Sequence, residues 1–176
     1  MLWFYDSLEA ISRYMEMGGP VLWAIAVLAF AMWTLILERI WYYKTGSLDA
    51  DLNLAISDWE ARKERTSWHA HKVREKLISE ATVKVKANLP MIKTMVAAAP
   101  LFGLLGTVTG MIGVFEVMAI TGGGDARQMA GGVFRATIPT LSGMVVAIAG
   151  VFADTYLNNV ADKETALLED HLTMDH

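Results

Sequence analysis

Three charge-free apolar tracts constrain this chain more than any other feature: Met17 to Leu37, Thr94 to Phe115 and Ala136 to Ala153. Each holds roughly 18 to 22 residues, and at about 1.5 Å rise per residue such helices reach ~27 to 33 Å, against a hydrocarbon core of about 30 Å. Tracts that are apolar on every face cannot be surface helices of a soluble domain, and three of them in 176 residues leave no polar shell to enclose them. The fold class that follows is an all-α membrane protein with three transmembrane helices in a lipid bilayer. With no cysteine, the chain has no disulfide framework, thiolate metal site or cysteine nucleophile. A net charge of −4 gives no footprint for a nucleic-acid partner.

Orientation follows from the basic residues. Eleven of the fifteen Lys and Arg lie between Arg39 and Lys93, so the positive-inside rule makes that connection cytoplasmic and the N-terminus periplasmic. The expected order is an outer-face amphipathic helix over residues 1–16, a first span over 17–38, a cytoplasmic helical segment over 39–93 and a second span over 94–116. A periplasmic loop over 117–134, a third span over 135–154 and a cytoplasmic tail over 155–176 complete it. The residues before the first tract include Asp6, Glu9 and Glu16 and no basic n-region, so the tract reads as a retained span and not a signal peptide. Gly18, Gly19 and Pro20 favour a bend between the amphipathic helix (Phe4, Leu8, Ile11, Met15) and the span. Trp41, Tyr42 and Tyr43 fall where aromatic rings suit the inner interface.

In the cytoplasmic segment, Val73, Leu77, Ala81, Val85 and Leu89 recur every four residues and lead toward the second span, which predicts a helix running continuously into it. Leu48, Leu52, Ile56 and Trp59 predict a partner helix descending from the first span. His69 and His71 are two apart, whereas ligand pairs on a helix favour three or four, so they read as solvated. No nucleotide-binding, hydrolase or zinc-protease motif occurs, the chain does not read as an enzyme, and no cofactor is expected.

Inside the spans, Gly103, Gly106, Gly110 and Gly113, and then Gly143 and Gly150 on the third, form small-residue stripes of the kind that let membrane helices approach closely. Thr107, Thr137 and Thr140 fall within about two turns of one depth if the helices are antiparallel. Each could satisfy its hydroxyl on its own helix; together they point to a polar pore lining built from more than one copy of the chain. Glu116, Arg135 and Asp154 sit at span ends as candidate ion-pathway or gating charges, with Glu116 and Arg135 forming either a salt bridge or a polar vestibule. No carboxylate lies at mid-membrane, and threonine does not titrate near neutral pH, so proton-driven work needs an acid from a partner.

The strings Ala99-Pro-Leu-Phe-Gly-Leu-Leu-Gly-Thr-Val-Thr-Gly-Met-Ile and Gly132-Val-Phe-Arg-Ala-Thr-Ile-Pro-Thr-Leu-Ser-Gly-Met-Val-Val-Ala-Ile, with Leu37-Glu38-Arg39 ending the first span, resemble the ExbB/TolQ/MotA proton-channel family, and most of all its short ExbB members. The resemblance implies a homo-oligomeric, pentameric inner-membrane ring around an ExbD-like subunit that carries the titrating aspartate. A TonB-like transducer would then energise import of iron-siderophores and similar cargo. It implies pore-lining roles for Thr107 and Thr140. Arg135 stands where many ExbB proteins have glutamate, so no proton-relay role carries over to it, and Pro139 departs from the usual pattern. A TolQ-like role in envelope integrity and a non-conducting scaffold are the rival expectations.

Overall fold

The computed structural model describes residues 2–61, 67–122 and 126–172; the side chains of residues 2–5 and of Leu8, and with them the Phe4 and Leu8 end of the expected amphipathic stripe, lie outside the described part. Five helices follow in order: α1 (Leu2–Lys44), α2 (Ser47–Glu60), α3 (Trp68–Val85), α4 (Leu89–Thr121) and α5 (Ala126–His171). No strand occurs among the described residues. Three helical stretches are long and apolar enough to cross a membrane. Within their most apolar windows only 22%, 22% and 33% of residues are buried, which leaves rows of large side chains such as Phe30, Ile120 and Phe152 more than 70% exposed. Water would not tolerate that much contiguous apolar surface; hydrocarbon does.

The chain divides into two compact units. The first comprises Met1–Trp33 and Thr94–Val151. Here α1 leaves helical geometry at Gly19 (φ 67°, ψ −164°), a left-handed φ that a side chain would strain, and resumes at Pro20, whose missing N–H suits a first helical turn. Leu22, Ile25 and Met32 form its buried face. Before the kink, Tyr14 reaches Ser142 on α5, their oxygens 2.7 Å apart. Because the Ser142 hydroxyl donates to the Ile138 carbonyl, Tyr14 is the donor of that pair. Ile11, placed on the apolar stripe by its spacing, is exposed.

The second unit comprises Thr34–Lys93 and Phe152–His176. Helix α2 buries Leu48, Leu52, Ala55 and Trp59, a stripe at helical spacing, while Ile56 is only half-buried. Ser67 caps α3 by accepting from the Ala70 N–H. Arg74 on α3 donates to the carbonyls of Glu169 and Leu172, which satisfies acceptors left open at the end of α5. Tyr42 donates to Asp51 at 2.7 Å, Lys84 pairs with the same carboxylate at 2.9 Å, and Tyr43 donates to the Val85 carbonyl at 2.9 Å. Two of the three aromatic residues expected at a lipid interface therefore tie α1 to α2 and α3; of the three, only Trp41 is exposed.

Two expectations about helix ends are corrected. The periodic run from Val73 to Leu89 is broken: α3 ends at Val85, Asn88 takes a left-handed φ of 64°, and α4 starts afresh at Leu89 with Pro90 in its first turn. Asparagine is one of the few residues that tolerate that region, and proline suits a helix start. The connection read as a loop over 117–134 is mostly helical: α4 runs to Thr121 and α5 begins at Ala126, with Gly122 (φ 72°) turning the chain. Residues 123–125 of the Gly-rich stretch lie outside the described part.

Candidate ion pathway and the helix contact beside it

The α4–α5 contact in the first unit is built on glycine. A Cβ added at Gly103 would come 3.0 Å from the Pro139 carbonyl oxygen and the Thr140 Cα. One at Gly143 would come 2.5 Å from the Ala99 carbonyl oxygen and 3.2 Å from the Gly103 Cα. Gly106 lies against Pro139, Gly110 against Ala136, and Gly132 against Val114. As residue numbers rise along α4 they fall along α5, so the two helices are antiparallel, in near-contact of their backbones. Gly150 meets Val96 of α4 and Met32 of α1, which closes a three-helix contact. Gly113, read from spacing as a packing residue, has nothing within 4 Å of an added Cβ. The stripe continues in sequence, but at Gly113 it no longer faces a neighbouring helix in this chain. Gly132, on α5, was not among the expected packing residues; its partner is a valine, so no second glycine marks it.

Thr140 donates its hydroxyl to the Gly103 carbonyl at 2.8 Å, across the helix pair. Its oxygen is thus part of the α4–α5 contact. Thr107 donates to the Leu104 carbonyl and Thr137 to the Phe134 carbonyl, each at 2.7 Å within its own helix. Thr137 is exposed and Thr107 half-buried, and because Gly106 meets Pro139, Thr107 stands within one turn of both Thr137 and Thr140 along the helix axis. Each hydroxyl keeps lone pairs that can accept from a donor outside the chain.

Glu116 and Arg135 do not meet. Both are exposed, and neither forms an ion pair among the described residues. The register explains why: with Gly110 opposite Ala136 and Val114 opposite Gly132, Glu116 is level with about residue 130, roughly 7 Å along the axis from Arg135. The salt bridge is therefore not formed. Asp154 belongs to the second unit, where Asn158 donates to its carboxylate at 3.0 Å and to its backbone carbonyl at 2.8 Å.

Arg39, one of the Leu37-Glu38-Arg39 residues, is buried. Its guanidinium lies 5.0 Å above the Tyr42 ring and donates to the Lys84 carbonyl at 3.3 Å. Its Nε is 3.1 Å from a Glu38 carboxylate oxygen without hydrogen-bond alignment, so the contact is an ion pair only. Position after the first span does not single this arginine out; its burial is tertiary. No group of three or more His, Asp or Glu poised for a metal ion occurs among the described residues.

Comparison with known proteins decides the family. The family model described as the MotA/TolQ/ExbB proton channel family matches residues 46–170, which take in almost all of α2 to α5. The chain belongs to that family. It is 32% identical over 162 residues to the biopolymer transport protein ExbB-like 1 of Synechocystis sp., covering 74% of this chain and 64% of that protein. It is 36% identical over 88 residues to the biopolymer transport protein ExbB of Xanthomonas campestris pv. campestris, covering 50% of this chain and 34% of the relative. It is 34% identical over 76 residues to the Tol-Pal system protein TolQ of Pseudomonas aeruginosa, covering 43% of this chain and 33% of that one. The chain thus spans from about a third to just under two thirds of the length of these relatives. As a member of the MotA/TolQ/ExbB family it is a multi-pass membrane protein, and the names of the relatives lean to ExbB.

Proposed function

We propose that this chain is the ring-forming, inner-membrane subunit of a complex driven by the proton motive force, of the ExbB–ExbD–TonB kind, energising import of iron-siderophores and similar cargo across the outer membrane. The N-terminus is periplasmic and the C-terminus cytoplasmic, as the excess of basic residues between Arg39 and Lys93 favours.

One observation carries this reading. The glycine contact closes α4 against α5 and leaves Thr107 and Thr137 on the surface of the pair, in helices with no mid-membrane carboxylate. A polar face without an acid is a wall past which a partner's acid can move. Several copies, five in the family's pentameric pattern, bring such faces around an ExbD-like helix whose carboxylate loads and unloads protons. Thr140 stands on that wall through its hydroxyl's bond to Gly103, as a brace and a lining residue together. A TonB-like transducer takes up the work.

The test is proton flux in liposomes. With this chain alone the flux stays at background, and with the ExbD-like subunit it rises under an imposed proton gradient; brisk, selective H⁺ passage by the chain alone would refute the reading. A TolQ-like role in envelope integrity is the second reading, favoured by the match to the TolQ of P. aeruginosa. Co-purification with a TonB-like or a TolA-like transducer separates the two.

A further inference from the structure

The first unit holds a cavity of about 760 Å³ between the Gly19 kink of α1, the later half of α4 and the start of α5. That volume is in the range of sites for a small ligand or cofactor, roughly 300 to 1,000 Å³. The ion pathway proposed above does not use it. Its two ends differ in chemistry. Toward Gly106 the walls are Pro20, Val21 and two glycines, with Thr109 spending its hydroxyl on its own helix's carbonyls; toward Thr121 they become polar with Arg127 and Gln128. Between them stands Arg135, a fixed cation with no ion pair among the described residues, which Glu116 does not reach. Gly113, also on the wall, has open space where a side chain would be.

A guanidinium at the edge of a span is costly unless an anion meets it, and its planar fork matches a phosphodiester through two parallel hydrogen bonds. The molecule that offers a phosphodiester joined to an apolar chain, with a polar group beyond it, is the phospholipid of the surrounding bilayer. We propose that this cavity is a phospholipid site: the phosphodiester sits on Arg135, one acyl chain runs along Val21 and Gly106, and the headgroup lies toward Thr121. Gly106 and Gly110 are turned to Pro139 and Ala136 of α5, so the room in the middle of the cavity is the open space beside Gly113. Arg135 then has a physical role, as the anchor of a lipid that fills the space beside the α1 kink.

The test uses the full chain in nanodiscs with a phosphatidylglycerol that carries a diazirine on one acyl chain, and maps the photolabel by mass spectrometry. Labelling is expected on the peptides containing Met17 to Val21 and Gly106 to Gly113. Arg135→Gln lowers it about tenfold, equivalent to ~1.4 kcal/mol, and Arg135→Lys restores part of it. Gly113→Leu, which fills open space without meeting a neighbour, lowers it while the elution volume of the protein stays that of the wild type. Equal labelling in wild type, Arg135→Gln and Gly113→Leu would overturn the proposal. So would equal labelling by a diacylglycerol probe that lacks the phosphate. Loss of the label on adding excess inorganic phosphate would mark a free-anion site and overturn the lipid assignment.

Discussion

Replacing Gly143 by alanine tests the helix contact most directly. The new Cβ would stand 2.5 Å from the Ala99 carbonyl oxygen, where ordinary contact begins at 3.4 Å, so α4 and α5 must part locally by about 0.9 Å. The Thr140 to Gly103 hydrogen bond is beside this point, and the same displacement would stretch it from 2.8 Å to about 3.7 Å, beyond bonding range. Over-packing of this kind costs about 1 to 3 kcal/mol, and an interhelical hydrogen bond in a membrane is worth ~0.6 kcal/mol on average. The expected loss is therefore about 2 to 4 kcal/mol, a fall of roughly 30-fold to several-hundred-fold in the folding equilibrium constant. Gly103→Ala needs a shift of only about 0.4 Å from its 3.0 Å contacts and should cost about 1 kcal/mol. Gly113→Ala meets nothing and should be neutral, or more stable by up to ~1 kcal/mol through helix propensity. Reversible unfolding in bicelles by steric trapping reads all three. The reasoning fails if Gly143→Ala proves as stable as Gly113→Ala, because the order Gly143, Gly103, Gly113 comes directly from the backbone separation.

Three other outcomes follow from the same geometry. Thr107→Val and Thr137→Val should leave unfolding unchanged within ~0.5 kcal/mol, since each hydroxyl bonds only its own helix, yet lower proton flux with the ExbD-like partner; Thr140→Val should cost ~0.6 kcal/mol or more of stability as well. Equal destabilisation by all three valines would contradict the assignment. Arg39→Leu should lower the stability of the second unit by about 1 to 3 kcal/mol and raise hydrogen exchange near Val85, and Arg39→Lys should not restore it, because an ammonium lacks the planar face that lies over Tyr42. The Tyr42 hydroxyl, then the Lys84 ammonium, hold the Asp51 carboxyl below the usual carboxylate range. A carboxyl depressed in the folded state stabilises above the unfolded value of about pH 4, and that contribution disappears as pH falls through the folded value. Hydrogen exchange in α2 should accelerate over that acid window in the wild type and be flat there in Asp51→Asn.

The sequence carried the spans because their signal is local: uninterrupted apolar length needs no tertiary knowledge. Helix ends were less legible. Glu116 ends the charge-free tract, and a charge marks where hydrocarbon should stop, but Met118 and Ala119 are good helix formers and α4 continues to Thr121. The break at Asn88 was hidden by a period of four that runs unbroken across it, although an asparagine two residues before Pro90 is itself a stop-and-start signal. The Gly19 bend was readable because glycine and proline stand together there. Tyr14 on Ser142, Arg39 under burial and Tyr42 on Asp51 had no sequence signal at all, since each depends on which residues the tertiary fold brings opposite.

The threonines show why a motif and a role are separate questions. All three lie near one depth in small-residue surroundings, and spacing alone treats them alike. The fold divides them: Thr140 holds α5 to α4 through the Gly103 carbonyl, while Thr107 and Thr137 stay on the outside of the pair. A hydroxyl that braces two helices is fixed in place and adds stiffness to the wall; hydroxyls on the surface keep lone pairs to offer a passing donor. A stiff wall and acceptors that never titrate can stabilise a protonated carboxyl in transit without competing for its proton. In the function proposed above, that division of labour leaves the acid to a mobile partner. Under the function proposed above, the carboxylate-free interior of these helices is itself functional.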